Sequence, residues 1–239
     1  MKTPNENARD QNQNELRLTI AIPSGDQWER KFGLSLAMMM TTFSQPIPPY
    51  KGLSVRVHNR KGSILPNSRQ GLVKLAQEFK STHILFLDSD MVFPAKTAQW
   101  LLASKKPVIA CNCPTKIIPA TTTARRKSDY HAGQPITSHD KEGIEQIWRV
   151  GTGVMLIEMS VFDKIEKPYF PLTYKPGVND AQGEDWGFCE KLENAGIPIF
   201  VDHDLSKHIL HTGAFDYSHD LVGEVVREEV EGQPLKAVG

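Results

Sequence analysis

Residues 81–94 read STHILFLDSDMVFP. Ile84, Leu85, Phe86 and Leu87 form the short apolar run expected of a strand buried on both faces, and it stops abruptly at Asp88-Ser89-Asp90. Two carboxylates therefore sit where a central strand emerges. If the chain stays extended there, side chains two apart point the same way, and Asp88 and Asp90 reach one cation or its water shell together. The competing reading is an acidic turn in which Asp90 caps a helix that starts near Pro94.

Working outward, strands alternate with helices. On the N-terminal side, 16–22 (LRLTIAI) is a first strand broken by Pro23-Ser24-Gly25-Asp26, a loop of small residues that lets a ligand approach the backbone. A helix follows over 28–40 with Trp28, Phe32, Leu36 and Met40 on one face, then a strand over 53–58 and a helix over 68–79 with Leu72, Leu75, Ala76 and Phe79 inward. Arg69, near the start of that helix, is either a phosphate or nucleotide contact or a solvated surface arginine. On the C-terminal side, 95–104 reads as a helix and 107–111 as a strand. From 112 to 145 the pattern dissolves into Pro, Thr, Ser, His and Gly, the signature of an acceptor-facing flap. Its Arg125-Arg126-Lys127 cluster is a contact for a phosphorylated acceptor or simply a solvated face. Order returns at 147–157, IWRVGTGVMLI, where Gly151 and Gly153 mark either a bulge or a close approach of ligand or backbone. The alternation predicts one α/β domain with a mostly parallel sheet, whose ligands bind outside the carboxyl ends of the strands.

Composition sets the boundaries. The 239 residues are 39% hydrophobic and 23% charged, ordinary for a globular domain. Lys plus Arg and Asp plus Glu balance at 28 each, so no global field recruits nucleic acid or an anionic membrane. The longest weakly polar run, 34–43, is too short to span a bilayer, and no membrane anchor is expected. Residues 1–15 read as a solvated tail, 16–220 as the catalytic domain and 221–239 as a C-terminal helix or tail. Within that last segment 222–230 is a candidate helix that packs on the domain or on a second subunit, as in a homodimer. Cys111, Cys113 and Cys189 form neither a disulfide framework nor a zinc set, and are expected as buried thiols of a cytoplasmic protein.

Two later constellations carry chemistry. Gly183-Glu184-Asp185 opens a helix running to about Ala195, with Phe188, Cys189 and Leu192 inward and Gly196 at its end. Acids at a helix start satisfy free amides, but a pair after the polar Asn179, Asp180 and Gln182 leaves one available as a general base. After a strand over 197–201 come Asp202, His203, Asp204, His208 and His211, then Thr212-Gly213. In a strand or turn His208 and His211 point apart, so one of them is the ligand. Imidazole with carboxylates suits manganese or magnesium better than structural zinc.

Taken in order, the strand ending in DSD, the later GTGVMLI, the GEDWGFC helix start and the VDHDLSKHILHTG tail resemble nucleotide-sugar glycosyltransferases of the GT-A fold. Small phage and bacterial members related to the large inverting family 2 are the most similar in pattern. The resemblance implies a metal-dependent transfer of a sugar from a nucleoside-diphosphate sugar, a UDP-sugar foremost, to an acceptor hydroxyl on a glycan, a protein or a modified base of phage DNA. It implies Mn2+ or Mg2+ held by Asp88, Asp90 and His211. Donor contacts fall to Pro23, Ser24, Gly25, Asp26, Arg69 and the Asp88-Ser89-Asp90 turn, and Asp185 with Glu184 lies by the acceptor. Leu210-His211-Thr212-Gly213 departs from the Gly-His-Ile-Gly frequent in that family, which keeps His208 in contention. Nucleotidyltransferases also use a paired-acid metal site, but Pro-Ser-Gly-Asp-Gln lacks their Gly-rich, basic triphosphate loop. A metallohydrolase built on His203, His208 and His211 leaves the DSD strand without a role, and a non-catalytic sugar- or nucleic-acid-binding module leaves the acidic pair without one.

Overall fold

Strand β1 (Glu15–Ser24) lies between β2 (Gly52–Lys61) and β3 (His83–Leu87) and runs parallel to both. The structure is a computed structural model that describes residues 15–128, 133–174, 182–213 and 216–222. Beyond β3 the sheet continues through β9 (Val154–Glu158), β5 (Val108–Ala110), β10 (Ile199–Asp202) and β8 (Ile144–Ile147), giving seven strands in the order β2-β1-β3-β9-β5-β10-β8. Only β9 and β8 oppose the others, so the sheet is mostly parallel.

Alternation along the strands sorts the core into two layers. Leu18, Ile20 and Ile22 of β1 and Leu85 and Leu87 of β3 pack with Phe32, Leu36 and Met39 of helix α1 (Arg30–Thr42) and Ala98 and Leu101 of helix α3 (Thr97–Ala103). On the opposite face Ala21, Ile84 and Phe86 meet Leu72, Val73 and Ala76 of helix α2 (Leu65–Glu78) and Phe188 and Leu192 of helix α4 (Glu184–Asn194). Each fully buried Leu, Ile or Phe contributes roughly 1.5–3 kcal/mol. The α/β layering is thus the one that the apolar runs predict. Cys111, Cys113 and Cys189 are buried free thiols within it.

The structure departs from the sequence reading where tertiary context overrides local pattern. Residues 147–157 are not one strand: β8 is an edge strand, β9 is central, and 148–153 links them. The segment 112–145 is not an open flap. It carries a short hairpin, β6 (Arg125–Arg126) with β7 (Gln134–Pro135), and buries Asn112, Thr122, Ala124, Ile136 and Ser138. The Asn112 amide does this work, donating to Ile136 O at 2.6 Å and Ser138 Oγ at 3.1 Å while its Oδ1 accepts from Ala124 N at 2.8 Å. Trp28 lies ahead of α1 and is 39% exposed, with its ring edge-on to Phe32. No helix among the described residues is long and apolar enough to cross a membrane. The tail 1–14, Asn179, Asp180 and the candidate helix 222–230 beyond Val222 lie outside the described residues.

Helix α4 is seated by close backbone contact. A Cβ on Gly187 would stand 2.0 Å from Pro171 O, and Phe170 and Phe188 stack beside it with centroids 4.7 Å apart. Backbone cannot swing aside as a side chain does, so Gly187→Ala is expected to cost about 2–4 kcal/mol, read as a lowered midpoint in urea denaturation.

Candidate active site

The peptides of Asp88, Ser89 and Asp90 are each gripped by a different part of the chain. Asp88 N donates to Gly153 O at 2.9 Å, Glu29 N to Ser89 O at 3.0 Å, and Thr212 N to Asp90 O at 2.8 Å. Met91 N closes a turn on Asp88 O at 3.1 Å, after which β4 (Met91–Val92) pairs with β11 (Leu210–Thr212), placing His211 opposite Met91. Because Asp88 to Asp90 form a turn and not extended chain, the two carboxylates do not share one partner. Nor does Asp90 cap the next helix, which starts only at Thr97.

Asp88 faces inward to Arg69. That guanidinium is 2% exposed, and its Nη2 donates to Asp88 Oδ1 and Oδ2 at 2.9 and 3.2 Å while Nε donates to Glu184 Oε1 at 3.2 Å. Its third nitrogen, Nη1, is buried without a partner. Burial works against the charged guanidinium, but Asp88 and Glu184 outweigh it and raise the arginine further. The Asp88 carboxyl is itself raised, by burial above all, with Arg69 pulling it down and Asp90 pushing it up. Arg69 is therefore an internal clamp that joins the end of β3 to the start of α4, not a solvated surface residue.

Asp90 faces the opposite way, to His211 and Lys116. Lys116 Nζ donates to Asp90 Oδ2 at 2.7 Å, and His211 Nε2 lies 3.4 Å from the same oxygen. Burial alone would raise the Asp90 carboxyl, yet hydrogen bonds from His211 and Lys116 hold it down at about 2. His211 Nδ1 sits 2.9 Å from Pro114 O, and since a carbonyl only accepts, Nδ1 carries the proton. Nε2 then points toward the Asp90 carboxylate, 3.4 Å from Oδ2. An imidazole nitrogen with a carboxylate oxygen is chemistry that fits Mn2+ or Mg2+. Among the described residues no group of three His, Cys, Asp or Glu side chains could hold a metal, so the expected Asp88, Asp90 and His211 set does not come together: Asp90 and His211 meet, while Asp88 is held by Arg69. His208 is exposed on the turn after the short helix α5 (His203–Ser206), in a groove with Trp100 and Asp204. His203 is buried between Ser138 Oγ and Glu145 Oε2, and no three-histidine centre exists among the described residues.

Asp185 is the acid that Arg69 leaves unclamped. Its Oδ1 accepts from Trp186 N at 2.8 Å, and burial, reinforced by the neighbouring Glu184 charge, pushes its carboxyl up to about 6. A Cβ on Gly183 would lie 2.7 Å from that Oδ1, so the glycine leaves room for the carboxylate.

With this geometry in view, the sequence matches no protein-family profile and no curated protein sequence. Solved structures do resemble it. A197 from STIV aligns over 86% of this chain and 91% of its own with 16% identity and a TM-score of 0.56. That likeness is one of fold. The catalytic domain of Drosophila beta1,4galactosyltransferase 7 in complex with xylobiose overlaps more loosely, at 14% identity over 78% of this chain and 65% of its own, TM-score 0.44. A mutant of that Drosophila enzyme in complex with manganese, UDP-Gal and xylobiose overlaps at 13% identity over 85% and 70%, also with a TM-score of 0.44.

Pro23 and Ser24 are not loop but the last residues of β1, paired with Arg60 and Lys61, so only Gly25-Asp26 turn away at its carboxyl end, next to the Asp88 turn because β1 and β3 are adjacent and parallel. Asn59 Nδ2 fixes this end of β1, donating to Ser24 Oγ at 2.7 Å and to Ile22 O at 3.0 Å. Gly25 faces open space, and Asp26 is exposed and paired with Lys61. The basic cluster is met internally: Arg126 pairs with Glu145 and Lys127 with Glu193, each at 2.6 Å, and Arg125 Nη1 donates to Ala124 O at 3.0 Å. The structure adds residues that the sequence reading missed. Lys116 carried no signal in a Pro- and Thr-rich loop, and Asn59 none in a polar strand. Arg149 is 1% exposed between the Trp148 and Trp186 rings, with Gln182 Oε1 at 3.4 Å.

Two stability measurements follow from these contacts. Arg69→Met leaves the partly buried Asp88 and Glu184 carboxylates without their cation and is expected to cost about 3–5 kcal/mol at neutral pH, with the loss shrinking as Asp88 protonates in acid. Asp185 titrates near 3.8 unfolded and about 6 folded, so the stability of its neutral form is present below 3.8 and lost as pH rises through 6. Asp185→Asn is expected to melt higher than wild type at pH 8 and to lose that pH dependence, both read by thermal denaturation across pH.

Proposed function

We propose that this protein is a metal-dependent glycosyltransferase that moves a sugar from a nucleoside-diphosphate sugar, with UDP as the first nucleotide to test, to an acceptor hydroxyl. The observation that carries the reading is the division of labour among four acids and one histidine at the carboxyl edge of a mostly parallel sheet. Asp90 and His211 face one another at 3.4 Å, Arg69 ties Asp88 to Glu184, and Asp185 is left with its carboxyl at about 6.

Each residue then has a physical task. Asp90 and His211 would hold the divalent ion, which supplies Lewis-acid neutralisation of the charge that grows on the leaving diphosphate. Ser24, Gly25 and Ser89 border the donor, with open space at Gly25, and Asn59 keeps Ser24 in place. Asp88, although first in the DSD turn, acts through Arg69: it keeps the guanidinium and hence α4 fixed relative to the turn. Asp185 takes the proton of the acceptor hydroxyl as the acceptor oxygen bonds to the anomeric carbon, and the electron pair of the broken carbon–oxygen bond leaves on the diphosphate. A base that titrates near 6 is half ionised just below neutrality, where it accepts a proton and still returns it to solvent. Glu184, held by Arg69, positions α4 and raises Asp185 by its charge. The internal pairing of Arg125 to Lys127 turns the acceptor search towards neutral hydroxyl compounds such as glycans before DNA.

The decisive experiment measures nucleoside diphosphate released from a panel of nucleotide sugars with Mn2+, Mg2+ or chelator. Wild type is expected to release product from one donor only with metal, with a rate rising from pH 5 to 7 as Asp185 ionises. Asp90→Ala is expected to lower that rate by roughly 10^2-fold or more. Asp185→Asn is expected to lower transfer by about 10^2–10^4-fold while leaving donor affinity within a few-fold. Metal-independent release, or donor affinity lost with Asp185→Asn, overturns the reading.

A further inference from the structure

Lys116 belongs to neither the carboxylate pairs nor the helix starts, yet its ammonium occupies the one Asp90 oxygen that faces His211 Nε2. Its anchor is fixed, while its head is held by Asp90. Thr115 N donates to Thr121 O at 2.8 Å, Thr121 N donates back to Thr115 Oγ1 at 3.1 Å, and Pro114 bridges Thr122, so the loop that carries Lys116 is closed at its base. The stem passes over Gly213, where an added Cβ would stand 3.3 Å from Lys116 Cδ, and the side chain is 34% exposed. Only a four-carbon chain has to swing for the charge to move. Pro114 supplies the other end of the device, since its carbonyl sets the tautomer of His211.

Resting on the glycosyltransferase reading, we infer that Lys116 is an exchangeable cation: it neutralises Asp90 while the site is empty, yields that oxygen to the divalent ion, and transfers its ammonium to the diphosphate of the donor. A charge placed on Asp90 Oδ2 competes directly with any metal at that oxygen. The same charge, once displaced, would remain near Asp90 and would bind the donor's diphosphate as a point charge. Metal binding without donor is thereby made weak and metal binding with donor strong, so the two ligands load together. One residue thus opposes the first event and assists the second.

The two effects have opposite signs, which a merely structural role would not produce. Mn2+ is titrated calorimetrically into the metal-free full chain, and then whichever of UDP, GDP, CDP and dTDP binds tightest is titrated in saturating Mn2+. Lys116→Met is expected to bind Mn2+ alone roughly three- to tenfold more tightly and the diphosphate about tenfold more weakly than wild type. Lys116→Arg, which keeps the charge, is expected to stay near wild type in both. Unchanged or weaker Mn2+ binding in Lys116→Met, or unchanged diphosphate binding, overturns the inference while leaving the glycosyltransferase reading intact. A wild-type chain that binds neither Mn2+ nor any of the four diphosphates overturns both.

Discussion

A single buried guanidinium holds the candidate site together. Arg69 is fully desolvated on α2, beneath the Asp88 carboxylate and against Glu184, with the Phe86 ring 5.6 Å away. A charge in that place is tolerable only because two acids meet it, and the acids are tolerable only because of the charge. The consequence is mechanical. The end of β3 and the start of α4 come from sequence positions about a hundred residues apart, and the ion triad fixes their separation more tightly than apolar packing would, because hydrogen bonds are directional.

That clamp decides the roles of the remaining acids. With Asp88 and Glu184 committed to Arg69, the nearby carboxylates of Asp90 and Asp185 lie outside that clamp. Asp90 lies on the side of His211 and Lys116, where hydrogen bonds keep it ionised, and Asp185 lies where burial and Glu184 keep its proton affinity high. Two aspartates one or two residues from the clamp are thus separated into one held ionised and one with raised proton affinity by their surroundings alone. The cost is a destabilising ionised Asp185 above pH 6, the kind of local expense that active sites carry.

Much of the architecture was legible because buried strands and amphipathic helices write their periods into the chain. The runs around 16–22 and 84–87 predicted buried strands, which the structure places side by side, and the stripe Leu72, Leu75, Ala76 predicted the inner face of α2. The split of 147–157 into β8 and β9 was not legible, since a strand that leaves the sheet edge and one that enters its centre share the same apolar, Gly-punctuated pattern. Neither was the packing of 112–145, because Asn112, Thr122 and Ser138 are buried through hydrogen bonds that no hydrophobic period reports.

The sequence marked the candidate residues: the DSD turn at a strand end, the Gly-Glu-Asp helix start, and a histidine near the C-terminal end of the domain. Those signals are local, being breaks in apolar runs filled by ionisable groups. Tertiary structure alone decided what each residue does. Whether Asp88 faces a metal or an arginine, whether His211 or His208 approaches Asp90, and whether Lys116 points to solvent or into the site depend on β4 pairing with β11 and on α2 lying under β3. These are contacts between segments far apart in the chain, and the charge on a carboxylate is set by what surrounds it in space, which no neighbouring residue in the sequence records.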